Sequence, residues 1–234
     1  MTLLSVVRQV CPVVGVLLPT SVFSGLGSNR TMQEMLACAN EVAQRIATDY
    51  RDWTRLRKSA TLIGDGVTEA FNLPADYRRM QKDGQVWRST DTMAPMRFIP
   101  STDEWFQRRA ANRSEGSGEW TLYGGQIHIR PIMGSGVSAR FTYLDKNCIA
   151  LAAGGFGEEF MADGDTFVLN ERLLRLGMIW DWKAKKGSPY AEDLSTFEDA
   201  IRTAMGFDAP APILIDSQPV SAYARVAYPW QLPT

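Results

Sequence analysis

The sequence predicts an α+β protein, with a helical bundle formed by the N- and C-terminal helices, an inserted antiparallel β domain and an extended C-terminal arm. Apolar residues recur at helical spacing near both ends, while short runs of β-formers separated by Gly, Pro, Asp and Asn fill the middle. The last stretch is too rich in proline for either regular element. Four segments follow: 1–58 and 166–206 as the two parts of the bundle, 59–165 as the β domain, and 207–234 as the arm.

In chain order, residues 2–10 form a short first helix with Leu3, Leu4, Val6, Val7 and Val10 on one face. Apolar residues continue to position 22, but Arg8, Gln9, Pro12, Gly15 and Pro19 interrupt them, which excludes a membrane span and argues against a signal peptide. After a Gly/Ser-rich turn at 24–29, Thr31 and Glu34 have capping-box spacing. Met35, Ala39, Val42, Ala43, Ile46, Tyr50, Trp53 and Leu56 then make one stripe, which predicts a helix of about seven turns. Gln33, Glu41, Gln44, Asp49, Asp52 and Arg55 lie opposite, as a wet or partner-facing side.

From Ser59 the period changes. Strands are predicted over 60–63, 85–88, 96–99, 120–123, 126–129 and 138–143. Gly124 and Gly125 supply the positive φ that a two-residue hairpin turn requires. Ser101 or Thr102 can cap a helical turn over 102–109, with Trp105 facing inward. After Thr166 the helical period returns, with Leu173, Leu176, Gly177, Trp180 and Ala184 on one side, Lys183, Lys185 and Lys186 at the C-terminal turn, and Gly187 closing it. Ser188 and Pro189 read as N-cap and first residue of a last helix, whose stripe is Tyr190, Leu194, Phe197, Ile201 and Met205.

The terminal stretch carries Pro210, Pro212, Pro219, Pro229 and Pro233, yet keeps Ile213, Leu214, Ile215, Tyr223, Val226, Tyr228 and Trp230. Disordered tails are poor in large apolar side chains. This one is therefore expected to lie extended along a surface, either its own domain or a partner chain, with Ile213, Leu214, Ile215, Tyr223, Tyr228 and Trp230 as its anchors.

Composition excludes several classes. Twenty-five Lys and Arg balance 26 Asp and Glu among 234 residues, so no bulk field recruits nucleic acid or anionic membrane. Cys11, Cys38 and Cys148 are far apart, sit among apolar neighbours and read as reduced, mostly buried thiols in a cytosolic setting. His128, the only histidine, alternates with Ile127 and Ile129 and reads as a surface or cross-strand residue rather than a general base. Hydrolase, dinucleotide-binding and Walker signatures are absent, no cofactor is implied, and Asp163-Gly164-Asp165 reads as a turn because it lacks the later ligands of a calcium loop. Basic residues cluster at Arg51, Arg55, Arg57 and Lys58, at Arg78, Arg79 and Lys82, and at Arg108, Arg109 and Arg113. Interleaved acids blunt each cluster, so solvated faces or subunit salt bridges are expected. Trp180 and Trp182, two apart on one helix, cannot share a narrow stripe; one is expected to face the bundle, and both are buried only if the helix is sandwiched.

The first helix at 2–10, Pro19-Thr20-Ser21, the long helix ending Asp49-Tyr50-Arg51-Asp52-Trp53 and the strand Phe71-Asn72-Leu73-Pro74-Ala75-Asp76-Tyr77 together resemble bacteriophage head-to-tail adaptor proteins. Residues 173–187, Leu-Leu-Arg-Leu-Gly-Met-Ile-Trp-Asp-Trp-Lys-Ala-Lys-Lys-Gly, followed by Tyr190-Ala191-Glu192-Asp193, look like the second half of that pattern. The type is similar to the tail tubular adaptors of short-tailed phages. The resemblance implies a dodecameric homo-oligomeric ring under the portal protein, an arm docked on the portal, a nozzle or stopper below, and non-specific passage of genomic DNA through the lumen. It also implies a virion location, no membrane and no turnover. Leu3, Trp53, Arg175 and Trp182 are the candidates for contacts between subunits. A second reading is a carbohydrate- or protein-binding β module of a fibre or baseplate, which requires Trp87, Trp105, Trp120 and Tyr123 on an exposed face. A third, an enzyme, requires His128 paired with a carboxylate in a pocket.

Overall fold

A computed structural model describes residues 1–24, 27–90, 94–113 and 116–208. Mixed α+β architecture emerges, with five α-helices and antiparallel sheets among the described residues. Helix α1 (Leu3–Val10) starts at Thr2, whose hydroxyl accepts from Ser5 N at 3.4 Å, and buries Leu3, Val6, Val7 and Val10. Its first amides are satisfied from far along the chain: Leu3 N donates to Asp165 O at 2.7 Å and Leu4 N to Asp163 O at 3.2 Å. The Asp163-Gly164-Asp165 turn is thus a structural clamp. The Asp165 carboxylate accepts from the amides of Ala152, Met161 and Ala162 at 2.6 to 2.8 Å, and Asp163 Oδ1 accepts from Val22 N at 2.8 Å.

Helix α2 (Arg30–Thr48) corrects two expectations. Its cap is Asn29, whose Oδ1 accepts from Met32 N at 3.2 Å, so the Thr31/Glu34 capping box does not form. Glu34 instead pairs with Arg30 at 2.8 Å and with Lys186 at 2.5 Å. Nineteen residues make about five turns, not seven. Asp49 and Asp52 oppose the dipole at that end, and the chain leaves the helix although the apolar spacing continues. Trp53 folds back, donating Nε1–H to Ile46 O at 2.7 Å, and Leu56 closes a 3₁₀ turn over Thr54–Leu56.

Eleven short strands follow among the described residues: β1 (Arg57–Ile63), β2 (Ala70–Asn72), β3 (Tyr77–Met80), β4 (Trp87–Arg88), β5 (Arg97–Phe98), β6 (Glu119–Tyr123), β7 (Gln126–Arg130), β8 (Ser138–Asp145), β9 (Ile149–Ala150), β10 (Phe156–Gly157) and β11 (Thr166–Phe167). Each of the six predicted runs overlaps a strand, those at 85–88 and 96–99 by two residues each, and the β6–β7 hairpin turns through Gly124 and Gly125 at φ 62 and 75. The single strand 71–77 carried by the resemblance is instead β2 and β3, separated by a turn in which Tyr77 N donates to Pro74 O at 2.9 Å. One sheet is ordered β1-β8-β3 with β4 also on β8, a second β2-β7-β6-β5, and a third β10-β9-β11. Pairing is antiparallel except between β5 and β6. Helix α3 (Thr102–Ala110), capped by Ser101, supplies the crossover that a parallel pair needs, and it buries Trp105 as predicted.

The first two sheets enclose a core of Trp120, Ile127, Ile129, Ala139, Phe141 and Tyr143, with Val86, Met96 and Met133. A separate core joins α1, α2, α4 (Glu171–Lys185) and α5 (Ala191–Asp208). Cys148, Ile149, Phe160 and Phe167 pack with these helices, although most of that stretch lies inside the segment 59–165 expected for the strands. Helix α4 packs against α1, α2 and α5, so it buries Leu174, Met178 and Trp182 as well as Leu173 and Gly177. This is the sandwiched case, and it settles the two tryptophans: Trp182 is buried, and Trp180 is half-buried beside Arg45 and Phe197. Helix α5 begins at Ala191, two residues after the expected Pro189, and buries Phe197, Ala200 and Ile201. No helix of the described residues is long and apolar enough to cross a membrane.

Candidate functional site

The arm's anchors, Ile213, Leu214, Ile215, Tyr223, Tyr228 and Trp230, lie outside the described residues. What the structure does describe is the root from which that segment leaves. Helix α5 runs through Phe207 and Asp208, so the boundary expected at 207 falls two residues early. Asp208 is held by the chain between α2 and β1. Its carboxylate accepts from Thr54 N at 3.1 Å, from the Thr54 hydroxyl, and from Arg51 Nε at 3.2 Å. The Arg51 guanidinium also donates to Met205 O in the last turn. An acid at a helix C-terminus opposes the dipole. Here Arg51 supplies the compensating cation, and the last turn is pinned rather than left to fray. Beside it a cleft of about 370 Å³ is lined by Trp53, Arg55, Leu169, Ala204, Phe207 and Asp208. Phe207, 85 % exposed, stands at its edge.

Sequence reasoning missed this root. Arg51 was counted among a basic cluster, and Asp208 carried no signal beyond being the last charge before Pro210. Their pairing spans more than 150 residues, which no periodicity reports.

Three of the four residues expected between subunits are used inside the chain. Leu3 lies in the helical core, Trp53 caps the end of α2, and Trp182 is covered by neighbouring helices. Their burial removes the physical basis for assigning them to a surface. The fourth, Arg175, is half-buried and donates from Nη1 to Gln9 Oε1 at 2.8 Å, tying α4 to α1. The exposed tryptophan face required by the second reading does not form either, because Trp105 and Trp120 are buried and only Trp87 of the three is exposed.

His128 is buried, not at the surface. It stacks on Tyr123 with ring centroids 3.7 Å apart, opposite Thr121 and Ala70 in the sheet. Burial pushes its pKa below the usual value, against the pull of nearby Glu69, and Nε2 has no hydrogen-bond partner. Among the described residues no Ser, Thr or Cys side chain is hydrogen-bonded to Nε2. Among the described residues no group of three or more His, Cys, Asp or Glu is arranged to hold a metal ion.

Most of the clustered basic side chains are engaged within the chain. Arg79 pairs with Asp52, Arg108 with Glu119, and Arg109 with Glu69 at 3.4 Å. Lys58 bridges Asp76 and Asp145 at 2.7 and 2.6 Å, and both carboxylates raise its pKa. The three cysteines are free and buried. Burial raises the pKa of each, that of Cys148 to about 12, and Asp181 beside Cys38 adds to the effect. No protein-family model matches the chain, and no curated protein matches it.

Proposed function

We propose that this chain is a structural virion protein, a head-to-tail adaptor that assembles as a homo-oligomeric ring under the portal. In this reading the ring is dodecameric, joins capsid to tail, meets a nozzle or stopper below, and lines the channel through which genomic DNA leaves without sequence readout. The helices of 1–58 and 166–206 act as one bundle carrying 59–165 as an inserted β domain, and the arm reaches the portal. No cofactor and no turnover are involved.

One observation carries the reading. The last turn of α5 is locked by Asp208, Arg51 and Thr54 at the point where a proline-rich segment that keeps Ile213, Leu214, Ile215, Tyr223, Tyr228 and Trp230 departs. A fixed departure point and a stiff arm both lower the ordering entropy lost on docking. Many identical arms on one ring then add their modest affinities by effective concentration.

Native mass spectrometry tests this with the full chain and a form lacking 209–234, each alone and mixed with purified portal rings. The expected result is about one adaptor per portal subunit for the full chain and no complex for the shortened one, with helicity retained because all five described helices lie before residue 209. Absence of any complex with the full chain, or a small oligomer that ignores the portal, overturns the proposal.

A further inference from the structure

The outward face of the β1-β8-β3 sheet contains a groove that the adaptor reading does not use. Strands β3 and β4 lie along the same edge of β8, β3 against residues 143–145 and β4 against 139–140. Gln81 N still reaches Thr142 O at 3.5 Å, and residues 82–86 then leave the edge of β8 in a turn where Gly84 N donates to Gln81 O at 2.8 Å and Asp83 adopts φ 59. The edge is therefore interrupted opposite Phe141. A cleft of about 440 Å³ opens there, and a second hollow of about 450 Å³ abuts it, the two sharing Gln81 and Asp83.

Two cross-strand rows floor the cleft. Trp87 stands opposite Arg140, which stands opposite Thr61; in the next row Thr142 faces Ser59 and donates its hydroxyl to Gln81 Oε1 at 3.2 Å. Arg140 donates to Ser59 Oγ at 3.1 Å, which ties its guanidinium to β1. Trp87 is 41 % exposed and is the only described tryptophan in the exposed class, the others being buried or half-buried. An exposed indole costs hydration free energy unless a ligand covers it.

The chemistry around that ring is specific. Amides, hydroxyls, one guanidinium and the Asp83 carboxylate surround it, all able to donate or accept at a rim, while the ring offers an apolar face. A sugar ring has the matching form, with an apolar C–H face and a rim of hydroxyls. Charge does not favour a polyanion: the cleft at Trp87 holds one cation, Arg140, and one anion, Asp83, and in the adjoining hollow Asp52 pairs with Arg79 and Asp208 with Arg51. Two abutting hollows suit several linked rings better than one. We propose that this groove binds a neutral oligosaccharide, with Trp87 as the stacking platform and Gln81, Gln85, Ser59 and Thr142 as partners of the ligand hydroxyls. The inference stands apart from ring assembly and from the arm.

Saturation-transfer NMR on the full chain tests it, with chitohexaose, cellohexaose and isomaltohexaose as probes at millimolar concentration. Transfer to the ring protons of at least one probe is expected, weakened at least about tenfold in apparent affinity by Trp87→Ala and retained by Trp87→Phe, which keeps a stacking face. Gln85→Ala, at an exposed position, weakens it without disturbing the fold. An unchanged thermal transition of each variant separates loss of binding from loss of structure. No transfer from any of the three probes overturns the proposal, as does transfer that survives Trp87→Ala. Tighter binding of a ten-nucleotide oligothymidylate than of every saccharide also overturns it, and assigns the groove to single-stranded nucleic acid instead.

Discussion

Gly177 sets the approach of α4 to α2, and replacing it sets two effects of known size against each other. An added Cβ would collide with Val42 Cγ1 and lie 3.2 Å from Phe197 Cε2. Alanine in a helix interior is favoured over glycine by about 1 kcal/mol. Overpacking a tight core costs about 1–3 kcal/mol, and the upper end applies here because Val42 is β-branched and has essentially one helical rotamer to offer. Gly177→Ala is therefore expected to destabilise by about 2 kcal/mol net, a shift of about 1 M in urea midpoint for a chain of this size. In a Val42→Ala background, itself about 2–3 kcal/mol less stable for its two lost methyls, the collision with Val42 is gone and only the closer approach to Phe197 remains. There Gly177→Ala should stabilise by roughly 0.5–1 kcal/mol, since the propensity gain survives. Urea denaturation of the four proteins, followed by far-UV circular dichroism, measures the reversal as a coupling energy. The same sign and size in both backgrounds, or stabilisation of the parent by Gly177→Ala, refutes the account of this contact.

Other consequences are as direct. Asp165→Ala strips three backbone donors of their acceptor and should cost about 3 kcal/mol, lowering Tm by roughly 6–12 °C; faster amide exchange at Leu3 and Leu4 would show α1 losing its clamp, and exchange unchanged there would contradict it. His128, the only histidine, gives a single imidazole resonance whose titration should fall below the ordinary value of 6.5. Because the unfolded chain then binds the extra proton, stability from the neutral imidazole is present above about pH 6.5 and lost as pH falls through the folded value. The urea midpoint should drop between pH 7 and 5 by more in the parent than in His128→Phe, and equal drops would argue against a buried neutral ring. All three thiols should resist Ellman's reagent at pH 8 in the native protein and react once urea unfolds it, since burial raises each pKa; a rapid native reaction at Cys148 would show its shelter to be wrong.

Much of the local structure was written in neighbouring residues. The spacing of Leu3, Val6, Val7 and Val10 determines a helix, Gly124-Gly125 a hairpin, and Ser101 with the inward Trp105 a short helix, because each depends on interactions within a few residues. Cap choice at α2 was harder: Asn29 and Thr31 are both competent, and the path of the incoming chain decided between them. Two-residue strands such as β9, β10 and β11 carry no period of their own and exist only because a partner strand accepts their hydrogen bonds. The arm's composition was legible, whereas its root was not, since Asp208 and Arg51 meet only after the helices have packed.

The sequence by itself determined the alternation of helical and strand periods, the mixed α+β class, and a proline-rich end that keeps large apolar residues. Tertiary structure alone decided that β8 pairs with β1, β3 and β4, that Leu3, Trp53 and Trp182 are spent inside the chain, and that Trp87 stays on its surface. Period follows from the geometry of consecutive residues and can be read along the chain. Burial follows from which faces meet, and α4, covered on several sides at once, hides residues that its own pattern would leave outside.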